Sequence, residues 1–138
     1  MNEKIFRDML ELFNEIYDNT TILKSHLVLK YSDYWSNIVS WYLKYLEDNG
    51  IIEEKLIITC PECNNDIRIS KKEMDNRIEC NYCGYIFHLD NDKHFYNEYY
   101  EFIDYNVERD EFIRGSVNWL NSFLRNSNLM NISGLGGI

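Results

Sequence analysis

Apolar residues recur at helical spacing from the start of the chain. Ile5, Phe6, Met9, Leu10, Leu12, Phe13, Ile16 and Tyr17 cover a broad face, which predicts an amphipathic helix with one buried side. Thr20 or Thr21 suits the N-cap of a shorter second helix through Ile22, Leu23, His26, Leu27 and Leu29. A third helix follows Ser32 and Asp33, both good N-cap residues, with Trp35, Ile38, Val39, Tyr42, Leu43 and Leu46 on one side. Asn49-Gly50 supplies a left-handed position to stop it, and Ile51 and Ile52 can pack back on its last turn.

The pattern then changes. Ile51 to Thr59 is rich in β-branched residues and reads as a strand, and Asp66 to Ser70, Arg77 to Glu79 and Ile86 to Leu89 are short segments suited to a small antiparallel sheet. After Asp90 a helical period returns, with Phe95, Tyr96, Tyr99, Tyr100, Phe102 and Ile103 in one helix. Phe112, Ile113, Val117, Trp119, Leu120, Phe123 and Leu124 mark another. Asn126 to Ile138 is Asn/Ser/Gly-rich and without period, the composition of a flexible tail. The sum is an α+β chain: a three-helix unit ending in a strand over residues 1–59, a cysteine-bearing unit over 60–89, a helical pair over 90–125, and the tail.

A hydrophobic fraction of 45% in 138 residues is ample for a core. Acids interrupt the N-terminal apolar run, so it lacks the h-region of a secretory signal, and no stretch approaches the roughly 18 apolar residues of a membrane span. A soluble cytoplasmic protein without a membrane partner is expected. The net charge of -9 is spread, with 6 bases against 10 acids in residues 1–59, 4 against 5 in 60–89 and 4 against 8 in 90–138. Long-range electrostatics therefore disfavour nucleic acid and anionic membrane as partners.

The cysteines carry the clearest chemistry. Cys60-Pro61-Glu62-Cys63 and Cys80-Asn81-Tyr82-Cys83-Gly84 are two close pairs sixteen residues apart, the spacing of a four-cysteine metal site. Two residues between thiolates allow a tight turn with both sulfurs inward, and backbone N–H groups then donate to sulfur. Gly84, and Asn64 as next best, suit the positive φ that such a turn requires after its second cysteine. Four thiolates fill a tetrahedron and leave no place for water, so the expected ion is a structural zinc on Cys60, Cys63, Cys80 and Cys83. A rubredoxin-like iron uses the same ligands, and two cystines are the alternative without metal.

CPEC, the β-rich spacer, CNYCG and the Tyr85-Ile86-Phe87 strand give residues 58–89 a resemblance to the zinc-ribbon family. The resemblance implies a three-stranded sheet with two knuckles gripping one zinc, and it implies no single function. Residues 1–59 resemble a winged helix-turn-helix whose usual wing is missing or replaced by the ribbon.

The remaining residues bear on function more loosely. His26, His88 and His94 are scattered, and Glu98, Glu101, Asp104, Glu108, Asp110 and Glu111 read as a solvated acidic face. No nucleotide, metalloprotease, hydrolase or deaminase motif occurs, so no enzyme is expected. Eleven Tyr and 3 Trp against 7 Phe favour an interface, and Trp35, Trp41 and Tyr45 fan around the third helix, leaving aromatic surface for a partner. The expectation is a non-catalytic, zinc-stabilised protein-interaction module, a small adaptor or accessory subunit of a prokaryotic complex. The alternative is a DNA-binding transcriptional regulator using the third helix, for which Lys24, Lys30, Lys44, Arg68, Lys71, Lys72 and Arg77 are the available cations.

Overall fold

The computed structural model describes residues 3–71, 77–88 and 96–126. Lys72, His94 and the expected tail from residue 127 onward lie outside these ranges. The fold is α+β. Helix α1 (Glu3–Asp18) buries Ile5, Met9, Leu12, Phe13 and Ile16, the expected stripe. The second element differs from expectation in its first turn: Thr21–Leu23 forms a strand, β1, and only Lys24–Lys30 is helical (α2). Ile22 is β-branched and is drawn into pairing with Tyr100, so a cross-strand contact outweighs helix capping at Thr20 or Thr21.

Ser32 and Asp33 do not cap the third helix. Ser32–Tyr34 is a 3-10 turn, Trp35–Val39 a π turn in which the Ser40 N–H donates to the Trp35 carbonyl, and α3 proper is Ser40–Asp48. Its end is as expected. Gly50 has φ +70°, and the Ile51 N–H reaches back 2.9 Å to the Leu46 carbonyl.

The strands that follow are β2 (Ile52–Thr59), β3 (Asp66–Ser70), β4 (Arg77–Glu79), β5 (Ile86–His88) and β6 (Tyr96–Phe102), before the closing helix α4 (Arg109–Asn126). One antiparallel sheet has the order β1-β6-β2-β3, and β4-β5 is a separate hairpin. Two expectations are corrected here. The three-stranded ribbon sheet is instead two hairpins, with β2-β3 built into the larger sheet. In place of the helical pair over 90–125, the described residues from Tyr96 onward form one strand and one helix. Tyr96–Phe102 misleads because Tyr99 is buried on one face of β6 and Tyr100 and Phe102 on the other, so period-two alternation is lost.

One sheet face serves two cores. The register places Ile22, Phe102, Tyr100 and Ile52 together at one end, where they pack beneath the helices with Phe13, Tyr42, Leu46 and Leu120. At the other end Leu56, Ile58 and Ile67 pack with Ile78 and Phe87 around Cys60 and Cys80. Between the clusters, on the same face, sit Glu54 and Glu98. Lys24 of α2 bridges them at 3.4 and 3.1 Å, and Lys71, just past β3, at 3.0 and 3.4 Å. Helix α4 buries Phe112, Ser116, Leu120 and Leu124 at i, i+4 spacing, and Ser116, 2% exposed, shares a 2.6 Å hydrogen bond with the Tyr42 hydroxyl. No helix among the described residues is long and apolar enough to cross a membrane.

Candidate metal centre

Both cysteine pairs sit in the turns of hairpins, and the two turns are built alike. In the β2-β3 turn the Asn64 N–H donates to the Cys60 carbonyl at 2.9 Å and the Cys60 N–H to the Asn65 carbonyl at 2.9 Å. In the β4-β5 turn Gly84 donates to Cys80 and Cys80 to Tyr85, each at 2.8 Å. The residue after each second cysteine is left-handed, Asn64 at φ +62° and Gly84 at +79°, as the motif requires. A Cβ at Gly84 would meet nothing within 4 Å, so Gly84→Ala is expected to cost only backbone strain, about 1–2 kcal/mol. Thermal unfolding of the metal-loaded variant checks this; a larger loss would mean that the added methyl meets an obstacle.

Cys60 and Cys80 are buried, Cys63 is half-buried and Cys83 is exposed. All four sulfurs lie within 4.8 Å of one another, with Cys60 to Cys83 and Cys63 to Cys80 each 3.7 Å apart. A tetrahedron with metal–sulfur bonds of about 2.3 Å has edges of about 3.8 Å, so the spacing fits a four-thiolate ion. It is far from the ~2.05 Å of a cystine. Sulfur also receives N–H donors: Asn65 Nδ2 to Cys63 at 3.3 Å and the Tyr82 N–H to Cys80 at 3.4 Å.

The thiols are electrostatically uneven. The backbone and side-chain N–H groups of Asn65 bring Cys63 down to about 6. At Cys83 the Tyr85 N–H acts in the same direction, but desolvation and the neighbouring cysteines push its thiol up to about 12. Crowded sulfurs of this kind resist carrying four negative charges together, and a divalent cation removes that resistance. The group can hold a metal ion; a four-sulfur shell suits zinc and iron alike.

No other group of three or more His, Cys, Asp or Glu side chains converges in this way among the described residues. His26 pairs with Glu15, and His88 is exposed on β5 opposite Arg77. Of the acids, Glu98 pairs with Lys24 and Lys71 and Glu101 with Lys55, while Glu108, Asp110 and Glu111 are exposed around the start of α4. The cations are also dispersed. Lys30 is held by Glu11 and Glu15 at 2.9 and 3.1 Å, Arg68 lies over the Tyr99 ring, and Lys44 is exposed on α3. Two features were not foreseen: the Glu54–Glu98–Lys24–Lys71 belt and the amide of Asn65 on Cys63. The first depends on strand register, but an Asn two places after a candidate ligand cysteine is visible in the sequence.

Comparison with protein families, curated proteins and solved structures finds no match for this chain.

Proposed function

We propose that the chain is a non-catalytic protein-interaction module, an adaptor or accessory subunit stabilised by a zinc ion on Cys60, Cys63, Cys80 and Cys83 in a zinc-ribbon-like arrangement. With four thiolates the ion supplies cross-linking of two hairpins and no open coordination position. The observation that carries the reading is the apolar surface beside α2. Leu29 is 79% exposed, with Val28 also in solvent, and they flank a cleft of about 770 Å³ that Tyr96 and Asn97 of β6 line from the other side. Apolar side chains around a concave surface, with ion pairs at its edge, have the anatomy of a protein interface. On a chain of net charge -9 the complementary partner presents an apolar patch framed by lysine and arginine.

Leu29→Asp tests this. It is expected to abolish retention of a basic-framed partner, at least tenfold in affinity, without altering the circular dichroism or the metal content. Equal retention by the variant would overturn the reading.

One observation favours the DNA-binding alternative. Strand β6 returns between β1 and β2, so the order is helix, strand, two helices and two strands, with the cysteine hairpins in the β2-to-β6 connection. That is where the winged-helix resemblance would place its wing. The charges oppose it, because Lys24 and Lys30 are each committed to two carboxylates. Fluorescence anisotropy with duplex DNA decides: no binding at low salt is expected, and tight, salt-sensitive binding would promote the regulator.

A further inference from the structure

We infer that the metal centre opens by oxidation, with Cys83 as the sulfur that an external peroxide meets and Cys60 as the sulfur that closes a disulfide onto it. The inference rests on the metal reading above and concerns how that site responds.

The two turns match in backbone bonding but not in what protects their sulfurs. Cys60 and Cys80 are buried, Cys63 is half-buried, and Cys83 is exposed. The residues two places after the second cysteines differ as well. Asn65 turns its amide onto Cys63 at 3.3 Å, whereas the equivalent Tyr85 stacks its ring on Phe87, 6.1 Å between centroids, and has no side-chain N–H to offer Cys83. A donor on sulfur withdraws the electron density that an electrophile needs, and exposure sets access. Cys83 has the access and lacks the side-chain donor. Across the site the Cys60 sulfur lies 3.7 Å away, within reach for a second step that joins the two turns.

The chemistry closes with hydrogen peroxide as the only added reagent. In the loaded protein, where a bound cation would hold all four cysteines as thiolates whatever their order without it, the Cys83 thiolate attacks one peroxide oxygen, the O–O bond breaks, hydroxide leaves, and a sulfenic acid forms. The Cys60 thiolate then attacks the Cys83 sulfur, the S–O bond breaks, and a second hydroxide leaves. Two protons from solvent convert both hydroxides to water, and two electrons have passed from the sulfurs to peroxide. Only Cys63 and Cys80 would then be left as thiolates, too few to hold a metal ion. The Cys60–Cys83 bond still joins the two turns, so the oxidised hairpins stay tethered.

The experiment uses the full chain. Metal content is measured first; a protein that binds no ion overturns the metal reading itself, and this inference with it. The loaded protein is then treated with one equivalent of hydrogen peroxide, with metal release followed by a chromophoric chelator and disulfides mapped by mass spectrometry. One ion released per Cys60–Cys83 disulfide is the expected result. In parallel, substoichiometric N-ethylmaleimide should label Cys83 ahead of the other three cysteines. Asn65→Ala should speed release about tenfold and add Cys63 to the labelled set. A first disulfide between Cys60 and Cys63 or between Cys80 and Cys83, even labelling of all four cysteines, or unchanged release from Asn65→Ala would each overturn the assignment while leaving the metal site standing.

Discussion

Cys80→Ser is expected to strip the ion from the chain and unfold the cluster around it, while the helical half stays folded. Cys60 and Cys80 are members of that cluster as well as candidate ligands, packed with Leu56, Ile58, Ile67, Ile78 and Phe87. Strands β4 and β5 are three residues each, too short to persist as an isolated hairpin in water. What holds them is the link from the Cys80 turn to the Cys60 turn. Four-cysteine sites of this kind contribute an apparent ~10–16 kcal/mol of binding free energy that is also folding free energy. The first halves of β2 and last of β6 have other support, because Ile52, Tyr100 and Phe102 belong to the helical core. Amide exchange should therefore show protection lost over Asp66–Ser70, Arg77–Glu79 and Ile86–His88 and kept in α1, α3 and α4. Full metal stoichiometry with unchanged thermal stability in the variant would remove the site from consideration, and collapse of all helices would show that the two cores fold as one.

The division between those cores explains which parts of the fold could be read from the chain. The cysteine turns were legible because their information is local: two residues between sulfurs and a left-handed position at Asn64 and Gly84. The stop of α3 at Gly50 was legible for the same reason. Two of the misreadings lie where a distant strand decides. Thr21–Leu23 is a strand only because β6 pairs with it, and β6 resembles a helix because Tyr99 is buried on one of its faces and Tyr100 and Phe102 on the other. The belt of Glu54, Glu98, Lys24 and Lys71 joins residues up to 74 positions apart, and no window of sequence contains it. Its position on the sheet also accounts for two lysines that looked available to phosphate and are instead neutralised in place.

Tyr42→Ala is the complementary case, expected to cost at least about 4 kcal/mol in the helical core and to leave the metal where it is. Tyr42 is fully buried, and its ring meets Phe13 at 4.7 Å and Trp119 at 5.2 Å between centroids, so truncation opens a cavity shared by α1, α3 and α4. Burial pushes its phenol far above the ordinary range, so the hydroxyl stays protonated and able to donate to Ser116. Tyr42→Phe separates the two contributions. It keeps the ring and removes the hydroxyl, and because a helical serine can turn back to the carbonyl four residues before it, the loss should be only about 1 kcal/mol. Denaturant unfolding followed by tryptophan fluorescence reads both variants, with Trp119 reporting from the site itself. A Tyr42→Ala protein within about 1 kcal/mol of the parent would show that α3 and α4 are held together elsewhere. One that released its metal would show that the charged belt couples the cores and does not merely separate them.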